Sequence, residues 1–266
     1  MKQPDVQPLG GAKFKLYCKL QQKKHRDGEG LFLAEGLRTV RELCGSVPEG
    51  DMLQALLFRE GEPEAAAFGR SFPGKVFTLT RKECARLSGT ATPSGIIGVF
   101  RQQPAAGFDS FGAEGNSFLV ALDDVQDPGN VGTILRTAAW FGAHALICST
   151  GTADRYNPKA VRSSAGSIFA LSHYGVASLE TELRRLADEG FSIVASSLDG
   201  RDFREFTSWP EKQVLVIGNE ANGVSPAVQA LSHRLVKIPH AGETPRVESL
   251  NASVSAAILM ERLVLL

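Results

Sequence analysis

The sequence predicts two α/β units in series, the second built on a parallel sheet. Three observations carry this. Strand-like and helix-like segments alternate from Gly30 to Phe100, and again from Phe118 to the end. The strands of the second half are near-continuous apolar runs (FLVAL, ALICS, FSIVAS, VLVIG and LVKIP), the pattern of strands covered on both faces. Between the halves, residues 102–116 (QQPAAGFDSFGAEGN) are rich in Gly, Ala and Pro without periodicity and read as a linker. The expected division is a domain over 1–101, a linker over 102–116 and a domain over 117–266.

In the first half the expected order is strand Leu31–Ala34, helix Glu35–Cys44, strand Met52–Phe58, helix Glu62–Gly69, strand Lys75–Leu79, helix Arg81–Leu87 and strand Ile96–Phe100. Thr80 followed three residues later by Glu83 is a capping box for the third helix. Ahead of this unit, Lys13 to Arg26 holds six Lys or Arg and no acidic residue, with Phe14 and Tyr17 interleaved. A basic helix over about 13–26 is predicted. Lys13, Lys19, Lys23, Lys24 and Arg26 are its candidates for a phosphate backbone; a solvated surface helix explains the same pattern. In the second half, strand Phe118–Leu122 opens the sheet. Helices follow at Val131–Phe141, Pro158–Ser164, Leu179–Glu189, Pro226–Leu231 and from about Leu250, with a short extra strand within 169–176.

Bulk properties bound the class. The 266 residues are 43% hydrophobic and 22% charged, as in an ordinary globular protein, and suffice for a substantial core. The formal net charge of zero excludes a wholly basic nucleic-acid coat and leaves room for a local basic face. Cys18, Cys44, Cys84 and Cys148 are scattered, with no metal-ligand spacing, so reduced thiols and no metal are expected. The first residues have no apolar signal core, and no apolar run reaches the roughly 18 residues of a membrane span. A cytoplasmic protein without membrane contact is expected.

Ligands of open parallel sheets collect at the carboxyl ends of the strands, which singles out three loops. After FLVALD the chain reads Asp127-Pro128-Gly129-Asn130-Val131-Gly132, opening a helix with Asn130 as a suitable N-cap and a free N-terminus for an anion. Gly132, Arg136 and Trp140 share a face of that helix. After VLVIG comes Asn219-Glu220-Ala221-Asn222-Gly223-Val224-Ser225-Pro226, where a carboxylate beside a buried strand needs a partner and Ser225 can cap the next helix. After LVKIP, residues His240 to Asn251 lead into the last helix, which Ser249 or Asn251 can cap and whose small residues suit close packing or self-association.

Taken together, these loops resemble the three motifs of the SpoU (TrmH-like) RNA ribose methyltransferases of the SPOUT superfamily. N-x-G-x-x-x-R appears as Asn130 to Arg136, the G-N-E loop as GNEANGVS, and the third motif as IPHAG…ESLN. The intervening YNPKAVRSSAG also matches the family's pattern. The resemblance covers about 117–266. More loosely, KLQQKKHRDGEGLFLAEGLRTVRELCG resembles the small RNA-binding domain, akin to ribosomal proteins, that precedes the catalytic domain in many members.

The resemblance implies a carboxyl-terminal trefoil knot, a homodimer packed partly through the last helix, and S-adenosylmethionine as methyl donor. It implies donor contacts at Leu198, Gly218, Ile238 and Leu250, and an active site combining Asn130 and Arg136 with Glu220, Ser249 and Asn251. It also implies transfer to a ribose 2′-hydroxyl, with ribosomal RNA favoured and a transfer RNA ribose methyltransferase as an alternative. A non-catalytic RNA-binding relative and a base-nitrogen methyltransferase are the competing readings. Two departures stand out: Ala221 replaces the usual glycine, which matters if the position needs positive φ, and the stretch between Gly242 and Ser249 is longer than is common. Because a guanidinium stays protonated, Arg136 is expected to bind the adjacent phosphate and stabilise the developing alkoxide rather than act as base, with Glu220 orienting Arg136 or the RNA.

Overall fold

A computed structural model describes residues 6–46, 52–72, 74–90, 92–103, 117–241 and 246–265. The chain divides into two units, one of residues 1–104 with 154–169 and one of 105–153 with 170–266.

In the first unit the elements are β1 (Val6–Pro8), α1 (Gly11–Lys19), α2 (Lys23–Glu29), β2 (Leu31–Glu35), α3 (Leu37–Gly45), β3 (Leu53–Arg59), α4 (Pro63–Ser71), β4 (Lys75–Leu79), α5 (Arg81–Ser88) and β5 (Ile96–Arg101). The sheet order is β1-β4-β3-β5-β2. β1, β4 and β3 run parallel, and β5 is antiparallel to both β3 and β2. The two-residue strand period divides the core. Phe32, Phe58 and Phe100 face α3, while Leu33, Leu57 and Val99 face α1 and α5. The capping box at Thr80 and Glu83 forms as expected.

The basic stretch is not one helix. It breaks at residues 20–22, where Leu20 is fully buried. Arg26 explains the turn: its Nη1 donates to the carbonyls of Leu20 and Gln21, both at 2.9 Å, satisfying groups at the end of α1. Its Nε and Nη2 donate to Asp154 Oδ2 at 3.0 and 2.6 Å. At 2% exposure Arg26 cannot reach a phosphate, and its expected RNA contact is corrected to an internal ion pair.

The second unit holds β6 (Ser117–Asp123), α6 (Pro128–Trp140) and β7 (Ala145–Ser149). The chain then contributes α7 (Pro158–Ser163) to the first unit, within residues 154–169, which the sequence assigned to the second domain. Apolar periodicity does not say which sheet a segment covers. Tyr156, Val161, Ile168 and Phe169 join the core around Phe32, with Tyr156 4.7 Å from the Phe32 ring. The second unit resumes with β8 (Ser172–Val176), α8 (Leu179–Asp188), β9 (Ser192–Asp202), β10 (Lys212–Gly218), α9 (Pro226–Leu231), β11 (Arg234–Lys237) and α10 (Ala252–Val264). All five pairings of the sheet β11-β9-β10-β6-β7-β8 are parallel, as the apolar runs predicted. One face is covered by α6 and α10, the other by α8 and α9. β9 is longer than expected and interrupted: β11 pairs Leu235 with Ala195 but the next residue, Val236, with Arg201, so residues 196–200 are looped out. Most of the expected linker lies outside the described residues.

Candidate active site at the carboxyl edge of the parallel sheet

The first loop is built by Asp127, not Asn130. Asp127 caps α6 by accepting from the N–H groups of Gly129 and Asn130, with Pro128 at the first helical position. Asn130 therefore falls inside the first turn and is buried, with its amide turned inward. Just upstream, Asp124 holds φ 60°, a left-handed conformation that Asp tolerates better than most residues.

Asn251 caps α10. Its Oδ1 accepts from Ser253 N at 2.9 Å and Val254 N at 3.4 Å, settling which of the two expected residues makes the cap. The cap bond fixes the orientation of the Asn251 amide, whose Nδ2 donates to Asn130 Oδ1 at 3.0 Å. Asn130 Nδ2 is thereby directed to Glu220 Oε1, at 2.8 Å. Glu220 also accepts from the backbone N–H of Gln126 and Asp127, each at 3.2 Å. One run of hydrogen bonds, Asn251 to Asn130 to Glu220, ties together three loops separated by 90 and 121 residues.

Partial burial raises the Glu220 carboxyl. Hydrogen bonds from the Asn130 side chain, its own N–H and those of Gln126 and Asp127 outweigh it, and the group titrates below its ordinary value. A carboxyl depressed in the folded state contributes stability that is present above its unfolded pKa and is lost as pH falls through the folded one. Acid unfolding should therefore steepen below the ordinary value of 4.5. Glu220→Gln should flatten that dependence when the denaturation midpoint is followed against pH; identical profiles for the two proteins would remove Glu220 as the titrating tie.

The second loop is closed on itself. Asn219 and Gly223 exchange backbone hydrogen bonds at 3.0 and 2.9 Å, and Asn219 Oδ1 accepts from Ala221 N and Asn222 N. Asn219 Nδ2 donates to the Asp124 carbonyl at 2.8 Å, joining this loop to the first. Among the described residues, positive φ outside glycine occurs only at Asp124 and Ala165, so Ala221 fits its loop without strain. Ser225 makes no side-chain cap; its N–H instead donates to the buried Asp123, at 2.7 Å. Asp123, Asp124, Asp127 and Asn219 were not singled out from sequence. Only Asp127, directly before Pro128, carried a readable cap signal.

The remaining expected residues are open to solvent or line the same edge. Arg136 is exposed, and among the described residues no hydrogen bond or ion pair engages its guanidinium. Glu220 accepts from Asn130, and no hydrogen bond joins it to Arg136 among the described residues. Ser249 is exposed. Leu198 stands in the looped-out stretch of β9, 69% exposed; Leu250 is 45% exposed, Ile238 half-buried, and Gly218 buried at the end of β10. Exposed leucines beside strand-end backbone fit an adenosine, which wants apolar contact and peptide hydrogen bonds. Residues 242–245, which hold most of the insertion, lie outside the described residues. No group of three His, Cys, Asp or Glu among the described residues could hold a metal.

In the first unit Lys13, Lys19, Lys23 and Lys24 are exposed. Lys13 lies 4.5 Å over the Phe77 ring and Lys23 pairs with Asp27 at 2.6 Å.

Comparison with known proteins bears on both halves of the chain. Residues 12–98 match the MRM3-like substrate binding domain. The chain is 31% identical over 262 residues to the 23S rRNA (guanosine(2553)-2′-O)-methyltransferase RlmP of Bacillus subtilis, covering 97% of this chain and 98% of that one. It is 32% identical to the 23S rRNA (uridine(2479)-2′-O)-methyltransferase of Streptomyces viridochromogenes, covering 91% and 84%. The crystal structure of AdoMet-bound rRNA methyltransferase from Sinorhizobium meliloti superposes with a TM-score of 0.81 at 30% identity, covering 97% of each chain. The chain spans just under two thirds, 65% and 63%, of two uncharacterised tRNA/rRNA methyltransferases from Borreliella burgdorferi and Archaeoglobus fulgidus. Residues 117–261, more than half of the sequence, match the SpoU rRNA Methylase family, and the chain belongs to that family.

Proposed function

We propose that this chain methylates a ribose 2′-hydroxyl of ribosomal RNA, with S-adenosylmethionine as donor. The observation that carries the reading is the hydrogen-bonded run Asn251–Asn130–Glu220, which gathers three loops at the start of α6, the helix that also carries Arg136, exposed and without a partner among the described residues. The relatives from Bacillus subtilis and Streptomyces viridochromogenes carry 23S rRNA 2′-O-methyltransferase names, which favours ribosomal RNA over transfer RNA.

The donor, when bound, supplies an electrophilic methyl carbon. Leu198, Ile238, Leu250 and the Gly218 backbone would hold its adenosine. The chain's own task is to align the 2′-oxygen and manage one proton. Asn130 and Asn251 spend their amides on each other, on Glu220 and on the α10 cap, so they are positioning residues. Arg136 and Ser249 are left to meet the RNA. Arg136, always charged, binds the phosphate next to the target and stabilises the alkoxide; that phosphate or a water accepts the proton. Ser249 holds the ribose. Lys13, Lys19, Lys23 and Lys24 add phosphate affinity from the first unit.

A homodimer through α6 and α10 is part of the reading. These helices pack on one sheet face and leave Trp140 84% and Val254 46% exposed, apolar area suited to a second copy. A trefoil knot is also part of the reading, in keeping with β11 at the outer edge of the sheet and α10 packed with α6 on its face. A cytoplasmic site fits four cysteines that form no disulfide. Among the described residues no helix is long and apolar enough to cross a membrane.

The test is transfer of label from methyl-tritiated donor to 23S rRNA, with the product mapped by alkaline hydrolysis. A 2′-O-methyl group blocks cleavage at its own nucleotide. Label at a nucleotide that alkali still cleaves would mean base methylation and sink the reading.

A further inference from the structure

The sequence places the basic stretch of the first unit along one helix, from Lys13 to Arg26. The fold redistributes it. Arg26 turns inward and Lys23 is paired with Asp27. α1 instead packs beside α5 on the same sheet face, where Tyr17 and Leu20 meet Cys84 and Leu87. α5 brings cations of its own: Arg81, Lys82 and Arg86, all exposed, next to exposed Lys13, Lys15 and Lys19 of α1. Arg86 lies 5.6 Å over the Phe14 ring, so the two rows adjoin. The only carboxylate on either helix is Glu83, and its Oε2 is taken up by the capping box at Thr80, accepting from the Thr80 backbone N–H and hydroxyl. Six exposed cations thus share a two-helix face with one engaged carboxylate, in a chain whose formal net charge is zero.

We infer that the outer face of α1 and α5, not a single basic helix, is the surface on which the first unit binds the sugar–phosphate backbone of RNA, with Arg81, Lys82 and Arg86 as its second row. This rests on the RNA reading above and names the surface that serves it. Long flexible cations without carboxylate competition suit phosphates by charge, with no demand on base sequence. The exposed arginines of α3 on the opposite face do not have this character. Arg38 is paired with Glu42, and Arg41 lies over Phe68.

The experiment is fluorescence anisotropy of the full chain with a labelled 23S rRNA fragment across a potassium chloride series. Arg81→Gln/Lys82→Gln/Arg86→Gln should lower the slope of log affinity against log salt by about two, since each phosphate contact contributes about 0.7 to 0.9. Lys15→Gln/Lys19→Gln, which leaves the Arg86–Phe14 contact intact, should lower it by more than one. Arg38→Gln/Arg41→Gln, which also removes positive charge, should leave the slope unchanged. Equal slopes for the parent and both α1 and α5 variants, with melting temperatures intact, would overturn the inference, as would an equal loss in the α3 variant. Methyl transfer is read separately. RNA binding with the expected slopes but no 2′-O-methyl product would keep this surface and reject the enzymatic reading. Methylation with unchanged slopes would do the reverse.

Discussion

Arg136→Ala is expected to lower the rate of methyl transfer by about 10²–10³-fold, the effect of removing one group that stabilises charge as it develops. Arg136 is free of protein partners among the described residues, so its loss leaves no buried group unpaired. Donor affinity, measured by calorimetry with S-adenosylmethionine, should stay within about twofold, because the proposed donor contacts are on β9, β10 and the loop before α10. Arg136→Lys keeps the charge and loses the planar fork, and should recover only part of the rate. Full activity in Arg136→Ala would remove it from the chemistry. Lost donor binding would make it a structural or donor-site residue instead.

Gly218→Ala is expected to have the largest effect on the fold of the site. A Cβ on Gly218 would lie 2.1 Å from Gly223 C and from Val224 N. These are backbone atoms of the loop that presents Glu220, and that loop is closed by the Asn219–Gly223 pair. The obstacle cannot swing aside as a flexible side chain would. The loop must shift or the strand end must fray, at a cost of at least about 3 kcal/mol. Urea denaturation should show the loss, and calorimetry should show donor binding weakened with it. Gly175→Ala is the matched control: it also lies in a strand of this sheet, and its Cβ meets nothing within 4 Å. It should change stability by no more than about 0.5 kcal/mol. Equal, small effects for both would mean that the Gly218 approach is not rigid.

Much of this was legible in the linear sequence. Apolar runs such as VLVIG read directly as strands buried on both faces, and the resulting sheet is parallel throughout. Thr80 with Glu83 gave a helix start to the residue, because a cap is made by groups three residues apart. The motif residues Asn130, Glu220 and Asn251 were found as members of a resemblance, and they do come together. Their roles were not legible. Asn130 read as an N-cap because its residue type suits one, yet Asp127 beside Pro128 takes that place and turns Asn130 inward.

The sequence by itself determined what short-range physics encodes: which segments are strands and helices, and which loops carry polar residues at strand ends. Only the tertiary structure decided the partners. Arg26 looked like its basic neighbours, but it bonds to Asp154, a residue 128 positions away that no local pattern connects to it. Residues 154–169 carried a helix signal without an address, and contact with Phe32 assigns them to the first unit. The basic face changed from one helix to two because α1 and α5 meet only when both bury apolar residues on the same sheet. Periodicity and caps act over a few residues; burial, ion pairing and charge clustering act through space, between residues that the chain order keeps apart.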